Sequence, residues 1–153
     1  DYFERSFEAL GASRPAAGDR ELTPTTRALQ DLLERAAREG GYAETLAVLV
    51  PAEWIYLAWA TAGDGDRPAP FYYAEWIDLH ANEEFGPFVA WLRAELDREG
   101  RAAAPRRRRR LRRLFDRTVE LEAAFFEAAY EPGAAGAHGL ASGDGADGGD
   151  QRW

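Results

Sequence analysis

The chain has 153 residues, of which 27 are acidic and 19 basic, giving a formal net charge of -8, and it contains no Cys and no Met. All of the basic residues are Arg. Without a thiol, these residues exclude a disulfide scaffold, a Cys-ligated metal centre and a cysteine nucleophile. A single domain of this length buries about 68–70% of its unfolded surface. The 46% hydrophobic content is ample for its core.

The apolar runs and the N-terminal residues of the sequence indicate where in the cell the protein is expected. No run of about eighteen apolar residues and no secretory leader pattern occurs, so we expect no membrane span and a cytoplasmic location. The sequence lacks an initiating Met and becomes apolar at once, from Tyr2. We therefore expect the numbering to begin within a longer reading frame.

Helical periodicity extends along the chain, and no segment shows the two-residue alternation of a half-buried strand, which predicts an all-α fold. Thr23 and Pro24 are typical of a helix start, and Gly100 of a helix end. Residues 1–131 are predicted to form one domain, and the Gly-, Ala- and Asp-rich residues 132–153 to be a disordered tail. Six helices are predicted, at about residues 2–10, 24–39, 42–62, 69–80, 82 or 83 to 99, and 105–130.

The third helix is nearly all apolar, which predicts that other helices enclose it. Pro51 is expected to kink it just before Glu53, Trp54 and Tyr56. Glu53 and Tyr56 are three residues apart and share a face, so with Trp54 they are candidates for a pocket wall. In the alternative interpretation, the two aromatic residues belong to the core and Glu53 points to solvent.

A carboxylate interrupts the apolar stripe of the sixth helix. Glu122 falls in helical phase with Phe115, Val119, Phe125 and Phe126, which predicts that it is buried and faces a cavity the size of one planar ring. Burial raises the pKa of a carboxyl group, and a raised pKa suits a proton donor near neutral pH. The alternative is a structural ion pair with an Arg of a neighbouring helix.

The histidines give little indication of a metal. His80 ends the fourth helix, where a His is typical of a partner for the helix dipole, and His138 lies in the tail. No pair of carboxylates at ligand spacing accompanies them, so we expect no metal site.

The segment PRRRRRLRRL at 105–114 contains seven Arg residues and so allows a nucleic-acid interpretation. The rest of the chain is then even more acidic than the whole, and it would repel a polyanion. We therefore expect no binding of nucleic acid. Pairing of the run with Glu95, Asp97 and Glu99, or with another subunit, is the favoured interpretation.

Three strings, in this order and spacing, resemble the TenA (thiaminase II) family of thiamin salvage, which is related to the PqqC and haem-oxygenase-like bundles. They are ETLAVLVPAEWIYLAWA at 44–60, YYAEWIDLHANEEF at 72–85 and VELEAAFFEAAY at 119–130, and PTTRAL at 24–29 fits the same register. The resemblance covers about residues 20–131 and implies a haem-oxygenase-like, TenA-type helical bundle. Family members begin with further helices, which carry an Asp that binds the pyrimidine. We do not find that segment here, and expect the N-terminal part of the bundle to be missing.

The resemblance also implies an activity. It is hydrolysis of an aminomethylpyrimidine to hydroxymethylpyrimidine, or cleavage of thiamin, in a homotetramer without metal or cofactor. Glu122 matches the family's catalytic Glu, Phe125 the ring that lines the pocket, and Tyr56 an active-site Tyr. The nucleophile position, usually Cys, is Ala52, so the covalent step is lost.

Two pocket Tyr residues of the family are also replaced, by Leu29 and His80. Because a branch of the family lacks the Cys and is thought to use a carboxylate, Glu53 beside Ala52 is the candidate here. A non-catalytic pyrimidine-binding or regulatory relative is the rival hypothesis, which Ala52, Leu29 and His80 favour. The candidate catalytic residues are therefore Glu122, Glu53 and Tyr56, and the candidate substrate-binding residues are Phe125, Trp54 and His80.

Overall fold

The computed structural model describes residues 1–12, 22–63, 65 and 67–130. Within these ranges the protein contains six α-helices and no strand, which confirms the predicted class and number of helices. The tail predicted at 132–153 lies outside the described residues. The helices are α1 (Tyr2–Ala9), α2 (Pro24–Glu39), α3 (Tyr42–Thr61), α4 (Phe71–His80), α5 (Phe85–Ala102) and α6 (Pro105–Tyr130).

Two helices start later than predicted. Helix α4 begins at Phe71 instead of residue 69, because Pro70 disfavours a helical conformation at the residue before it. Helix α5 begins at Phe85 instead of residue 82 or 83. The Asn82 side-chain oxygen accepts the backbone N–H groups of Glu84 at 3.0 Å and Phe85 at 2.8 Å, and so caps the first turn from outside.

The predicted end of α5 at Gly100 is also wrong, since the helix continues to Ala102. The last carbonyls of a helix have no partner within it. The Arg108 guanidinium donates to the Gly100 carbonyl at 2.9 Å and to those of Arg101 and Ala103 at 3.3 Å. Arg108 of the next helix thus stabilises the last turn of α5, although Gly100 is typical of a helix end.

Helix α3 is the centre of the bundle and packs against α2, α4, α5 and α6, whereas α1 packs mainly against α4. This arrangement confirms that a helix without a polar face is enclosed by others. Although α3 is strongly apolar, no helix in the described part of the chain is long and apolar enough to cross a membrane. The buried core falls in two clusters, Ala43 with Ala47 and Leu111, and Leu46 with Val50 and Leu92.

An ion pair fixes the N-terminal turn of α3 to α6. The Glu44 carboxylate accepts bonds from Arg107 Nε at 3.1 Å and Nη2 at 2.8 Å, and from the Gly41 backbone N–H at 3.1 Å. These bonds lower the pKa of Glu44 from 4.5 to about 2, with Arg107 the largest cause. The predicted pairing of the Arg run with α5 is therefore wrong at Arg107.

The acidic residues of α5 have another partner. Glu95 and Glu99 pair with Arg98 of their own helix, at 2.6 and 3.4 Å. Because the long Arg98 side chain satisfies both carboxylates locally, the Arg run is left to bind elsewhere.

The turn between α2 and α3 requires a glycine. A Cβ added to Gly40 would lie 2.5 Å from the Ala36 carbonyl oxygen and 2.6 Å from Cβ of Glu44. A Cβ at Gly100 in α5 would meet nothing within 4 Å. We expect Gly40→Ala to lower the free energy of unfolding by about 1–3 kcal/mol, because the helices must separate to admit the methyl group.

Gly100→Ala is the matched control, and it should raise the stability by about 0.5–1 kcal/mol through helix propensity. Urea unfolding followed by circular dichroism measures both changes. Equal effects of the two variants would contradict the close approach at Gly40.

The Glu44 pair predicts a pH-dependent stability. A carboxylate whose pKa is lowered on folding contributes stability above its unfolded pKa, and this contribution disappears as the pH falls through the folded pKa. We expect Glu44→Gln to cost about 2 kcal/mol at neutral pH, less than a fully buried pair because solvent screens the half-exposed Arg107. The difference from the wild type should shrink between about pH 5 and pH 2.

Urea unfolding at a series of pH values measures this difference. The control is Glu34→Gln, which breaks the exposed pair of Glu34 with Arg38 and should change the stability by less than about 1 kcal/mol. A cost for Glu44→Gln that stays constant down to pH 2 would show that the charge of Glu44 contributes nothing.

Candidate functional site

Four titratable side chains from three helices converge on the side of α3 that faces α4 and α6. Glu53 and Tyr56 come from α3, His80 from α4 and Glu122 from α6. The Tyr56 and His80 rings are 5.3 Å apart, and the Glu122 and Glu53 charges both act on the Tyr56 hydroxyl. We call these four residues the α3–α4–α6 cluster. It contains four of the six residues proposed from the sequence.

Glu122 is the most buried member of the cluster, with 2% of its surface exposed. Its Oε2 atom is buried and has no hydrogen-bond partner. Burial raises the pKa of Glu122, the nearby Glu53 charge raises it further, and hydrogen bonding from the Tyr56 hydroxyl opposes the rise. The predicted buried carboxyl group with a raised pKa is confirmed, and among the described residues no Arg pairs with it, so the ion-pair alternative is wrong.

Tyr56 lies half-buried in a ring of aromatic side chains. Its ring contacts those of Trp76 and Phe126 edge-on, with centroids 5.9 and 6.2 Å away. Burial and the charges of Glu122 and Glu53 raise the pKa of Tyr56 to about 12. The hydroxyl group therefore keeps its proton at neutral pH and can donate a hydrogen bond.

Glu53 is half-buried. The alternative interpretation, in which it points into solvent, is therefore wrong. Burial raises the pKa of Glu53, and the positive charge of His80 acts in the opposite direction. Burial thus raises the pKa of both carboxyl groups, but their neighbours differ, because the charge of Glu53 raises the pKa of Glu122 further whereas the charge of His80 lowers that of Glu53. Such a pair can supply a general acid and a general base.

His80 is held by neighbours on three helices. Its ring lies against Trp76 with centroids 4.4 Å apart and against Phe85 of α5 at 5.4 Å. Its Nδ1 atom is 2.7 Å from the Trp76 carbonyl oxygen. The residue lies in the cluster as a neighbour of Tyr56, whereas its role toward a substrate stays a prediction.

The other two proposed residues lie outside the cluster. The Trp54 indole is 38% exposed, lies 3.7 Å beneath the Arg93 guanidinium, and lines an apolar groove of about 230 Å³. Phe125 is 37% exposed and contacts Phe126 at 5.4 Å. Because successive helical residues differ in direction by about 100°, Trp54 and Phe125 point elsewhere than Glu53 and Phe126.

The apolar stripe proposed for α6 is turned from the true buried face. Val119 is 39% exposed, whereas Leu111, Thr118 and Leu121 are buried, as is Glu122. Thr118 escaped notice because its hydroxyl is polar, and it satisfies that hydroxyl locally by donating to the Leu114 carbonyl at 3.1 Å.

Sequence reasoning also missed Trp76 as a site residue. The signal was present, because Trp76 precedes His80 by four residues and the two therefore share a helix face. Phe126 has the same spacing from Glu122 and shares its helix face.

Two grooves are described on the surface, and neither is lined by a member of the cluster. One is the Trp54 groove, and the other, of about 690 Å³, runs between α5 and α6 past Phe115. The expected ring-sized cavity beside Glu122 is therefore not one of these two. Within the described ranges no group of three or more His, Asp or Glu residues is arranged to hold a metal ion.

Comparison with known proteins gives two findings. Residues 1–132 match the TENA/THI-4/PQQC family. The chain is also 31% identical, over 130 residues, to an aminopyrimidine aminohydrolase of Halalkalibacterium halodurans. The aligned region covers 82% of this chain and 54% of the relative, so the chain spans about half the length of the curated protein it matches.

The match covers all six helices and every member of the α3–α4–α6 cluster. The helical bundle, the sequence identity and the buried carboxyl group on α6 agree with one another. The chain belongs to the TENA/THI-4/PQQC family.

Proposed function

We propose that the protein is an aminopyrimidine aminohydrolase of thiamin salvage, which hydrolyses an aminomethylpyrimidine to hydroxymethylpyrimidine and ammonia. The observation that carries the proposal is the buried, unpartnered Oε2 of Glu122 beside Tyr56 and Glu53. The name of the Halalkalibacterium halodurans relative supports the substrate class. A buried carboxyl group without a partner costs stability, and such groups cluster at functional sites.

The chemistry follows from the different environments of the two carboxyl groups. Glu122, with a raised pKa, donates a proton to the departing amine or to the ring. Glu53 takes a proton from the attacking water. A C–O bond forms as the C–N bond breaks, and ammonia leaves with the proton. The Tyr56 hydroxyl donates its one proton to Glu122, and its oxygen can accept a hydrogen bond from the amino group of the heterocycle, which orients the ring.

A covalent route is not part of this proposal. Ala52 occupies the position where the family resemblance places the nucleophile, and a methyl group cannot attack carbon. Direct attack by water needs a base instead, and Glu53 is the adjacent carboxylate on α3. Phe125, Trp54 and His80 remain candidates for substrate binding. Among them, His80 is the one that contacts Tyr56.

A second candidate function is pyrimidine binding without turnover. The replacement of the nucleophile by Ala52 favours it, as do Leu29 and His80 at positions where the resemblance predicts Tyr. Calorimetry with hydroxymethylpyrimidine and an ammonia-release assay with the aminomethyl compound separate the two functions. Binding without ammonia release supports the second candidate, and the absence of both contradicts both.

We expect the protein to act in the cytoplasm as a homo-oligomer, a tetramer by the family resemblance. Large aromatic side chains on the outer face of α5 support an interface, since Phe88 and Trp91 are 42% and 52% exposed and their rings stack. Light scattering of the purified protein measures the number of subunits.

Glu122→Gln tests the proposed acid. We expect ammonia release to fall about 10²- to 10⁴-fold, the usual contribution of a general acid or base. The stability should not fall, because an uncharged amide replaces a buried carboxyl group of similar shape. Steady-state assays together with thermal unfolding measure the two effects separately.

The matched control is Glu120→Gln on the same helix. Glu120 is exposed and pairs with Arg117 at 3.0 Å, so its loss should leave the rate within about twofold of the wild type. A loss of less than about tenfold in Glu122→Gln would contradict the acid role.

A further inference from the structure

Part of the Arg run at the start of α6 has no acidic partner. Arg107 binds Glu44, and Arg108 binds the end of α5. Among the described residues, no side-chain hydrogen bond or ion pair is formed by four other arginines of the run, all of them exposed: Arg106, Arg109, Arg110 and Arg113. Their spacing of three, four and seven positions places them on one side of the helix.

This concentration of charge is unfavourable for the helix that carries it. Like charges three or four positions apart on a helix repel each other, and the N-terminal end of a helix already carries a partial positive charge. All four arginines lie within the first nine residues of α6, which begins at Pro105. An anionic surface on another molecule would therefore stabilise them.

The C-terminal half of the same helix face carries the opposite charge. Asp116, Glu120 and Glu127 are exposed and follow Arg113 by three, seven and fourteen positions, so they continue the line of the arginines. The buried side of α6 is the opposite one, with Leu111, Thr118, Leu121 and Glu122. We call the exposed charged face the outer stripe, and it consists of Arg106, Arg109, Arg110, Arg113, Asp116, Arg117, Glu120 and Glu127.

The outer stripe is complementary to itself when two copies of α6 lie antiparallel. With a two-fold axis between positions 116 and 117, each residue faces the residue of the second copy that lies equally far from the axis. Opposite charges then face each other at six places, which are three pairs and their symmetry mates: Arg106 with Glu127, Arg113 with Glu120, and Asp116 with Arg117.

The remaining two arginines of the stripe also fit this arrangement. Arg109 faces Ala124 of the second copy and Arg110 faces Ala123, and these small side chains leave room for the guanidinium groups. An acidic residue lies three positions from each alanine, within one helical turn. The antiparallel arrangement also places the arginines beside the C-terminal half of the other α6, toward the negative end of its helix dipole.

The acidic residues of the stripe are available for such pairs. Within one chain Glu120 binds Arg117 at 3.0 Å, and Asp116 lies 3.8 Å from Arg112. Both pairs are exposed, and exposed pairs contribute little to stability, so they exchange readily for pairs between copies. Glu127 forms no ion pair among the described residues.

We propose that two copies of this chain associate through the outer stripe of α6, packed antiparallel about a two-fold axis between positions 116 and 117. Because single exposed ion pairs are weak, the association depends on the whole stripe and on relief of the repulsion among its arginines. The pairing goes beyond the proposed hydrolase function and does not depend on it. It also uses a different face from the exposed rings of α5.

Charge reversals at two facing positions test the pairing. Arg113→Glu places acidic residues opposite each other, and Glu120→Arg places arginines opposite each other, so each variant alone should associate at least about tenfold more weakly than the wild type. A mixture of the two variants brings opposite charges together again and should associate within about threefold of the wild type. Sedimentation at low salt measures the dissociation constants, and circular dichroism checks that each variant is folded.

The matched control is Arg35→Glu on α2. It makes the same change in net charge at an exposed residue outside the stripe and should leave the dissociation constant as it is in the wild type. Raising the salt from about 0.05 M to 0.5 M should weaken the wild-type association, since salt screens exposed charges. A mixture that stays dissociated, or a loss in Arg35→Glu equal to that in Arg113→Glu, would overturn the proposal.

A monomeric wild type at low salt would also overturn the pairing, and the ammonia-release assay would still test the hydrolase function separately. Binding of duplex DNA by such a monomer would identify a polyanion as the partner of the arginines instead.

Spin labels on introduced cysteines test the antiparallel arrangement, because the chain has no cysteine of its own. Ala123→Cys and Ala104→Cys retain every charge of the outer stripe. At about 1.5 Å per residue, the two copies of position 123 lie roughly 20 Å apart along the helix axis and those of position 104 roughly 38 Å apart. Electron paramagnetic resonance measures both distances, and a distance at position 104 no longer than that at position 123 would contradict the arrangement.

Discussion

The enclosure of α3 by four other helices is the constraint that governs this protein. Most of α3 is covered by neighbouring helices, so a carboxylate on a covered side must find a partner or change its protonation. Glu44 finds Arg107 and its pKa falls to about 2. Glu53 has no Arg partner among the described residues, and burial raises its pKa. The same surroundings thus produce a structural ion pair at one end of α3 and a half-buried carboxyl group with a raised pKa toward the other.

Helix α6 shows why the Arg run does not neutralise the site. Glu122 follows Arg107 by fifteen positions, which at about 1.5 Å per residue places them roughly 22 Å apart along the helix axis. The Arg run lies at the N-terminal end of α6, where Arg107 binds Glu44 and Arg108 caps the C-terminal end of α5. Glu122 lies beyond the reach of these side chains, and no Arg of the described residues pairs with it.

Much of the fold was predictable because it follows from local patterns. The six helices are present, and α6 begins at Pro105 as predicted, since a proline in the first turn is a strong local signal of a helix start. The end of α5 was not predictable, because it depends on Arg108 from the next helix. Sequence patterns report the helix on which a residue lies, whereas contacts between helices decide how that helix ends.

The spacing of residues along the helices predicted most members of the candidate site, but it did not predict the direction in which every side chain points. Glu53, Tyr56 and Glu122 lie at positions that helical phase alone brings to one side of their helices, and the structure brings them together. Trp54 and Phe125 are adjacent to such positions and point elsewhere. The phase of α6 was misjudged because Thr118, a polar residue, occupies a core position. Hydrophobicity cannot reveal a buried hydroxyl group that bonds to its own helix.

The two ends of the α3–α6 contact also differ in what a substitution there would change. Glu44 and Arg107 bind each other, so this ion pair contributes to the stability of the fold and leaves no free carboxylate oxygen for a ligand. At Glu122 a buried oxygen without a hydrogen-bond partner lies near the aromatic rings around Tyr56. This arrangement lowers the stability of the folded protein and leaves a hydrogen-bonding site for a polar molecule. A small planar base with ring nitrogens and an amino group provides the donor that this oxygen lacks. That complementarity connects the unsatisfied oxygen of Glu122 to the proposed substrate.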